Sequence, residues 1–121
     1  MKVVEKKYTG TKAFYRAYSL LIAAAGYRGT IEYMTVARVM GITQTGNYMS
    51  KEVGQLCGEL SYNEVNHGRP MLSAVVVRTD GKPGEGFFIF AKQIGRWNGR
   101  GDKMDFWRSE IEEVYSAWRP I

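Results

Sequence analysis

The residues able to do chemistry in this chain are few. There is one histidine, His67, and one cysteine, Cys57. Nucleophilic catalysis needs a base beside a Ser, Cys or Thr, and His67 falls where a helix should end, the usual place of a capping residue. Cys57 lies on an apolar helical stripe, so it reads as a packed thiol. With one Cys and one His, a zinc site would need carboxylates for its other ligands. Asp80, Glu85 and Lys92 offer the raw material of a metal-dependent nuclease, at a spacing that matches no familiar acid-x-Lys signature. Gly81 to Gly86 lacks the Gly-Lys-Ser/Thr ending of a phosphate-binding P-loop. No motif for a cofactor is present.

Residues suited to binding are more numerous. Gln44, Asn47, Lys51 and Gln55 gather before and on one helix, with Tyr48 among them. Asn and Gln can read adenine edges, and Lys can reach guanine or phosphate. Arg78, Lys82, Arg96 and Arg100 are phosphate candidates, helped by backbone N–H groups of Gly81, Gly84 and Gly86. Trp97, between Arg96 and Arg100, could stack on a base or tuck onto the last helix.

The elements that must position these residues follow from periodicity. Thr9 or Thr11 caps a first helix reaching about Ala25, with Phe14, Ala17, Tyr18, Leu21, Ile22 and Ala25 at helical spacing. Thr30 to Tyr33 is a brief strand, and Met34 to Met40 a short helix stopped by Gly41. Ser50 opens a third helix whose apolar stripe is Met49, Val53, Leu56, Cys57 and Leu60, with Lys51, Gln55, Glu59 and Asn63 on other faces. Leu72 to Val77 is a buried strand. It runs into the charged turn around Asp80-Gly81. Phe87 to Ile94 fits a returning strand or a short helix. Asp102 caps a last helix with a stripe of Met104, Trp107, Ile111, Val114, Tyr115 and Trp118. This order predicts an α+β fold: one winged-helix-like domain over residues 1–121, with a small sheet and an added C-terminal amphipathic helix.

Composition narrows the partners. The chain has 121 residues, 45 % hydrophobic and 24 % charged, as expected of an ordinary globular protein. No apolar run reaches the ~20 residues of a membrane span, and the first eight residues lack a signal core, so a cytoplasmic location is expected. The net charge of +5 is uneven. Residues 1–30 carry six Lys/Arg against one acid, and residues 78–100 carry five against two. Such clustering favours nucleic acid or another anionic partner.

One series of segments carries a resemblance. Tyr33-Met-Thr-Val-Ala-Arg-Val-Met-Gly41, Lys51-Glu-Val-Gly54, Pro70-Met-Leu-Ser-Ala-Val-Val76, Asp80-Gly81 and Gly84-Glu-Gly86-Phe87 occur in order. Over roughly residues 30–95 this resembles the C-terminal DNA-binding domain of the O6-alkylguanine-DNA alkyltransferases and the alkyltransferase-like proteins. The resemblance implies a winged helix that binds the minor groove and flips a guanine. The family's tyrosine at the flipped nucleotide's phosphate falls on Tyr33, and its intercalating arginine on Lys51, a departure. Its Pro-Cys-His-Arg motif falls on Pro70-Met71-Leu72-Ser73, which has neither the cysteine, the histidine nor the arginine. Alkyl transfer is therefore excluded, because no thiolate can form there, and base flipping loses its usual residues. Gly68 to Val77 with Pro83 to Phe88 also looks like small bacterial or phage proteins, a likeness without a function.

The resulting expectation is non-catalytic binding of nucleic acid, duplex DNA first, by Tyr33, Gln44, Asn47, Lys51, Gln55, Arg78, Lys82, Arg96, Trp97 and Arg100. The alternatives are a module for a small anionic ligand such as a nucleotide, cradled by Pro83 to Gly86, a metal-dependent nuclease using Asp80 and Glu85, or a partner protein associating through aromatic helices.

Overall fold

A computed structural model describes residues 4–121. Among these, five α-helices surround a two-stranded parallel sheet, an α+β arrangement. Helix α1 (Lys12–Gly26) begins where the Thr11 hydroxyl accepts from the Phe14 N–H at 3.2 Å. It buries Phe14, Ala17, Leu21 and Ala25 of the expected stripe, with Tyr18 and Ile22 half-buried at its edge. Strand β1 (Ile31–Glu32) leads directly into α2 (Tyr33–Val39). Seven residues then connect α2 to the long α3 (Asn47–Asn66), which starts three residues before the expected Ser50, after Gly46 at φ +83°.

The stretch Leu72 to Val77 is a correction to the sequence reading. Only Val76–Val77 forms a strand, β2, paired in parallel with β1 in the register Ile31 to Val76 and Glu32 to Val77. Leu72–Val75 is a 3₁₀ turn. The reason is the length of the partner: β1 has two residues, so four residues of an apolar run have no ladder to join. Their backbone groups find side chains instead, as buried polar groups must. The Met71 N–H donates to Glu110 at 2.8 Å and the Ser73 N–H to the Ser61 hydroxyl at 3.0 Å. The Ala74 carbonyl accepts from Trp107 at 2.9 Å. Met71, Leu72, Ala74 and Val75 are fully buried at the centre of the core, against α1, α3 and α5.

After β2 the chain makes a tight turn, with the Gly81 N–H donating to the Arg78 carbonyl at 2.9 Å. The segment that fitted either a strand or a helix is helix α4 (Glu85–Gln93). It buries Phe87, Phe88 and Ala91, one helical face. A wing built as a β-hairpin requires a returning strand at that place, so the turn at 78–81 is followed by a helix where a hairpin was expected. Helix α5 (Lys103–Ala117) opens on Asp102, whose carboxylate accepts from the Met104 N–H at 2.9 Å, and buries Ile111, Val114 and Tyr115. No helix among the described residues is long and apolar enough to cross a membrane.

Candidate functional site

Helix α3 has two unlike halves. From Leu56 to Ser61 every side chain is buried, and so is Glu64. The first turns are open: Asn47, Tyr48, Ser50, Lys51 and Gly54 are exposed, as are Thr43, Gln44 and Thr45 just before them. Helices α2 and α3 pack on each other across the seven-residue connection, with the first turns of α3 open to solvent. Lys51 has no carboxylate partner among the described residues.

A groove of about 680 Å³ runs along this same helix. Ser50, Gly54 and Gly58, spaced by four, form its α3 wall, because residues at i and i+4 share a helix face. Met34, Ile89 and Phe90 face them from α2 and α4, and Tyr33, Arg78, Thr79 and Gly84 to Phe87 close the end. Two of the glycines are closely approached by neighbouring side chains. A Cβ on Gly58 would meet the Phe90 ring at 3.3 Å, and one on Gly84 would meet the Tyr33 hydroxyl at 2.7 Å. At Gly54 a Cβ would meet nothing within 4 Å, so the groove is open there. Burial pushes the Tyr33 phenol up from its ordinary range. Met34 and Ile89 are 43 % and 61 % exposed, which leaves the groove's rim apolar.

The positions where an alkyltransferase would carry its nucleophile motif are closed. Met71 and Leu72 are fully buried, and Ser73 lies at the groove's floor with its hydroxyl in the Ser61 pair at 2.7 Å. Cys57 also reaches the groove lining, but burial pushes its thiol up to about 12, so it carries no thiolate at neutral pH.

The structure separates the expected binding residues into two sets. Tyr33, Lys51, Gln55 and Arg78 come together around the groove and the start of α3, with Asn47 one turn before Ser50. Gln44 lies beside them in a shallow depression of about 300 Å³ shared with Tyr8, Met40 and Tyr48. Lys82 and Arg100 are exposed. Arg96 and Trp97 are corrections. Arg96 holds Glu110 at 2.7 Å and Glu113 at 3.3 Å, and Glu110 is buried, so this guanidinium closes the core. Trp97 stacks on Phe106 with ring centroids 5.4 Å apart, and its indole N–H donates to the Arg100 carbonyl. Packing on a helix residue won over exposure because three aromatic rings, Phe88, Trp97 and Phe106, meet there.

The carboxylates named for a nuclease do not converge. Asp80 accepts from the Lys82 N–H at 3.0 Å and pairs with Arg78 at 2.8 Å, and both interactions hold its carboxyl below the ordinary value. Glu85 pairs with Lys103 at 2.7 Å. Among the described residues no group of three or more His, Cys, Asp or Glu side chains could hold a metal ion. His67 caps α3, its Nδ1 at 2.7 Å from the Asn63 carbonyl.

Four buried glutamates escaped sequence reasoning. Glu64 accepts from Tyr18, Arg69 and Trp118, and Glu110 from Met71 and Arg96. Glu52 and Glu59 anchor the segment before α1 to α3. Hydrogen bonds from Lys7 and then Tyr8 outweigh burial and hold the Glu52 carboxyl below its ordinary value. Burial would raise Glu59, but donors from Thr9, Gln55 and the backbone outweigh it and leave this carboxyl low as well. A glutamate on a helix reads as solvated, and no local signal marks these as buried. The Ser50-Gly54-Gly58 spacing, by contrast, is a readable sign of a helix face kept clear of large side chains.

No family model matches this chain, and no curated protein or solved structure matches it either.

Proposed function

We propose that the protein binds duplex DNA without chemistry, placing the first turns of α3 against the duplex. One observation carries this reading: the exposed polar first turns of α3, the second helix of a packed α2–α3 pair that we liken to a helix-turn-helix, and a largely apolar groove share one face of α3. In such motifs the N-terminal residues of the second helix meet the nucleic acid. Asn47, Lys51 and Gln44 supply hydrogen-bonding and cationic groups there. Lys51, Arg78, Lys82 and Arg100 are the phosphate contacts. The exposed Arg78–Asp80 pair is worth little in water, so Arg78 can exchange its carboxylate for a phosphate. In this reading the 78–81 turn meets the DNA backbone, although α4 stands where a wing's returning strand would be.

The groove adds a second component. Its volume lies within the ~300–1,000 Å³ of ordinary ligand pockets, and its Met, Ile and Phe walls suit a flat aromatic ring. For a protein seated on DNA, that ring is a base turned out of the stack. Gly54→Leu tests this component, since the added side chain has room to fill the groove. The expected outcome is a salt slope of log K near −3 to −4 for about four phosphate contacts, from roughly −0.9 per contact. With 2-aminopurine in the duplex, wild type should raise its fluorescence and Gly54→Leu should not. A flat salt response, or no duplex binding at ~50 mM salt, overturns the reading. Arg78 and Thr79 at the groove's edge favour a second reading, a pocket for a free nucleotide. A melting shift with a nucleoside monophosphate and no duplex affinity would select it.

A further inference from the structure

We infer that residues Glu5 to Thr9 form a second arm of the nucleic-acid surface, a strap clamped to α3 beside Lys51 by the buried carboxylate of Glu59. The inference rests on the DNA-binding reading above. Three successive backbone N–H groups converge on one carboxylate: Lys7 at 2.9 Å, Tyr8 at 2.9 Å and Thr9 at 2.8 Å. The Thr9 hydroxyl adds a bond at 2.7 Å and Gln55 another at 2.9 Å. Consecutive N–H groups arranged in this way make an anion nest, here occupied by a side chain of α3. Gln55 also donates to the Glu5 carbonyl at 2.9 Å, and Lys7 pairs with Glu52 at 2.5 Å. A segment without regular structure is thus tied to one helix at Glu5, Lys7, Tyr8 and Thr9, with Lys6 left free between them.

Geometry puts this strap next to the proposed contact face. At about 100° per residue, Lys51 lies roughly 60° from Gly54 on one side and about 40° from Gln55 on the other. The groove's Ser50-Gly54-Gly58 wall therefore lies on one side of Lys51 and the strap on the other, with Gln55 both lining the groove and bonded to the strap. Lys6 is exposed and, like Lys51, has no carboxylate partner among the described residues. A polyanion seated on Lys51 meets Lys6 as well. Clamping the strap in advance removes the ordering cost that a loose basic tail would incur on binding. Glu59 in this scheme is a positioning residue, since it acts through the strap.

The test uses the full chain and a duplex of ~20 base pairs, with affinity measured across salt for wild type, Lys6→Ala, Glu59→Gln and Lys51→Ala. Lys6→Ala should make the salt slope shallower by about one and leave the melting temperature unchanged. Glu59→Gln should speed hydrogen exchange at the amides of residues 7–9 and reproduce the shallower slope, a change that loss of stability alone would not cause. If Lys6→Ala keeps the wild-type slope while Lys51→Ala loses about one contact, the strap lies outside the interface and this inference falls, with the DNA-binding reading intact. If wild type shows no duplex binding, both fall. If Glu59→Gln does not fold, Lys6→Ala still decides the matter.

Discussion

Lys51 and Arg96 sit at two corners that look alike in sequence, each a cation among aromatic and polar neighbours. In the fold they differ. At the α4–α5 corner Arg96 meets Glu110 and Glu113, and Trp97 lies flat on Phe106. The Arg96 guanidinium and the Trp97 indole N–H each have an acceptor inside the protein. At the start of α3 the polar groups Asn47, Ser50 and Lys51 face solvent, beside a groove that the protein's own side chains leave open. A residue type alone therefore says little about binding. A cation whose partner is a buried carboxylate belongs to the core, while one without a partner, next to an open apolar surface, is available to something else.

The largest expected effect lies at the satisfied corner. Glu110→Ala removes the acceptor of both the Met71 N–H and Arg96. Breaking a buried pair from one side typically costs about 3–5 kcal/mol, and urea unfolding should show a loss of that order. The DNA salt slope of the folded fraction should stay at the wild-type value. A variant that keeps its stability and loses binding would merge the two corners and undo the contrast.

The groove end of the comparison can be sharpened at Gly84, where a Cβ would press on the Tyr33 hydroxyl at 2.7 Å. Gly84→Ala should destabilise by about 1–3 kcal/mol through overpacking. Tyr33→Phe removes the obstructing oxygen, so the double variant should lose less than the two single losses added together. Additive losses in the double-mutant cycle would mean that the clash is not what Gly84 avoids.

Alkaline pH probes the groove's floor. Folded Cys57 keeps its proton up to about 12, whereas an unfolded thiol releases it near 9.0. Between those values the unfolded chain binds fewer protons, so stability falls as pH rises. The contribution is complete below about 9 and drains away toward 12. Cys57→Ala should flatten part of that decline, at a cost of roughly 1 kcal/mol in packing at neutral pH. An unchanged alkaline limb would place the cause elsewhere, with the half-buried phenol of Tyr18, itself raised to about 12, as the first alternative.

How far these features could be read from the chain depends on their range. The α1 and α5 stripes, the Thr11 and Asp102 caps and the turn at Asp80-Gly81 are local, set by spacing and cap chemistry, and all were legible. The 3₁₀ turn at Leu72–Val75 was not, because an apolar run reads as a strand until the two-residue length of its partner is known. The buried glutamates depend on donors far away in sequence: Glu59 meets residues 50 to 52 positions before it. Lys51, Arg78 and Tyr33 were legible as possible contacts, but that Tyr33 and Arg78 line one groove along the helix that carries Lys51, and that Arg96 and Trp97 do not belong with them, follows only from packing.

The smallest effect is expected at the residue that matters most for binding. Lys51→Ala removes an exposed side chain with no internal partner, and substitutions of this kind usually change stability by less than ~0.5 kcal/mol. Lysine and alanine are both good helix formers, so α3 keeps its start. The DNA salt slope should nevertheless become shallower by about one, and the affinity lost should shrink as salt rises, because the contact acts by releasing counterions. Arg96→Ala should behave in the opposite way, with a clear loss of stability from the uncompensated Glu110 and no change in slope. The pair of measurements puts the contrast between the corners on two axes, unfolding free energy and salt slope. Two variants that move together on both axes would show that the open end of α3 is held by the fold in the same way as the closed corner, and the helix would lose its claim to be the contact surface.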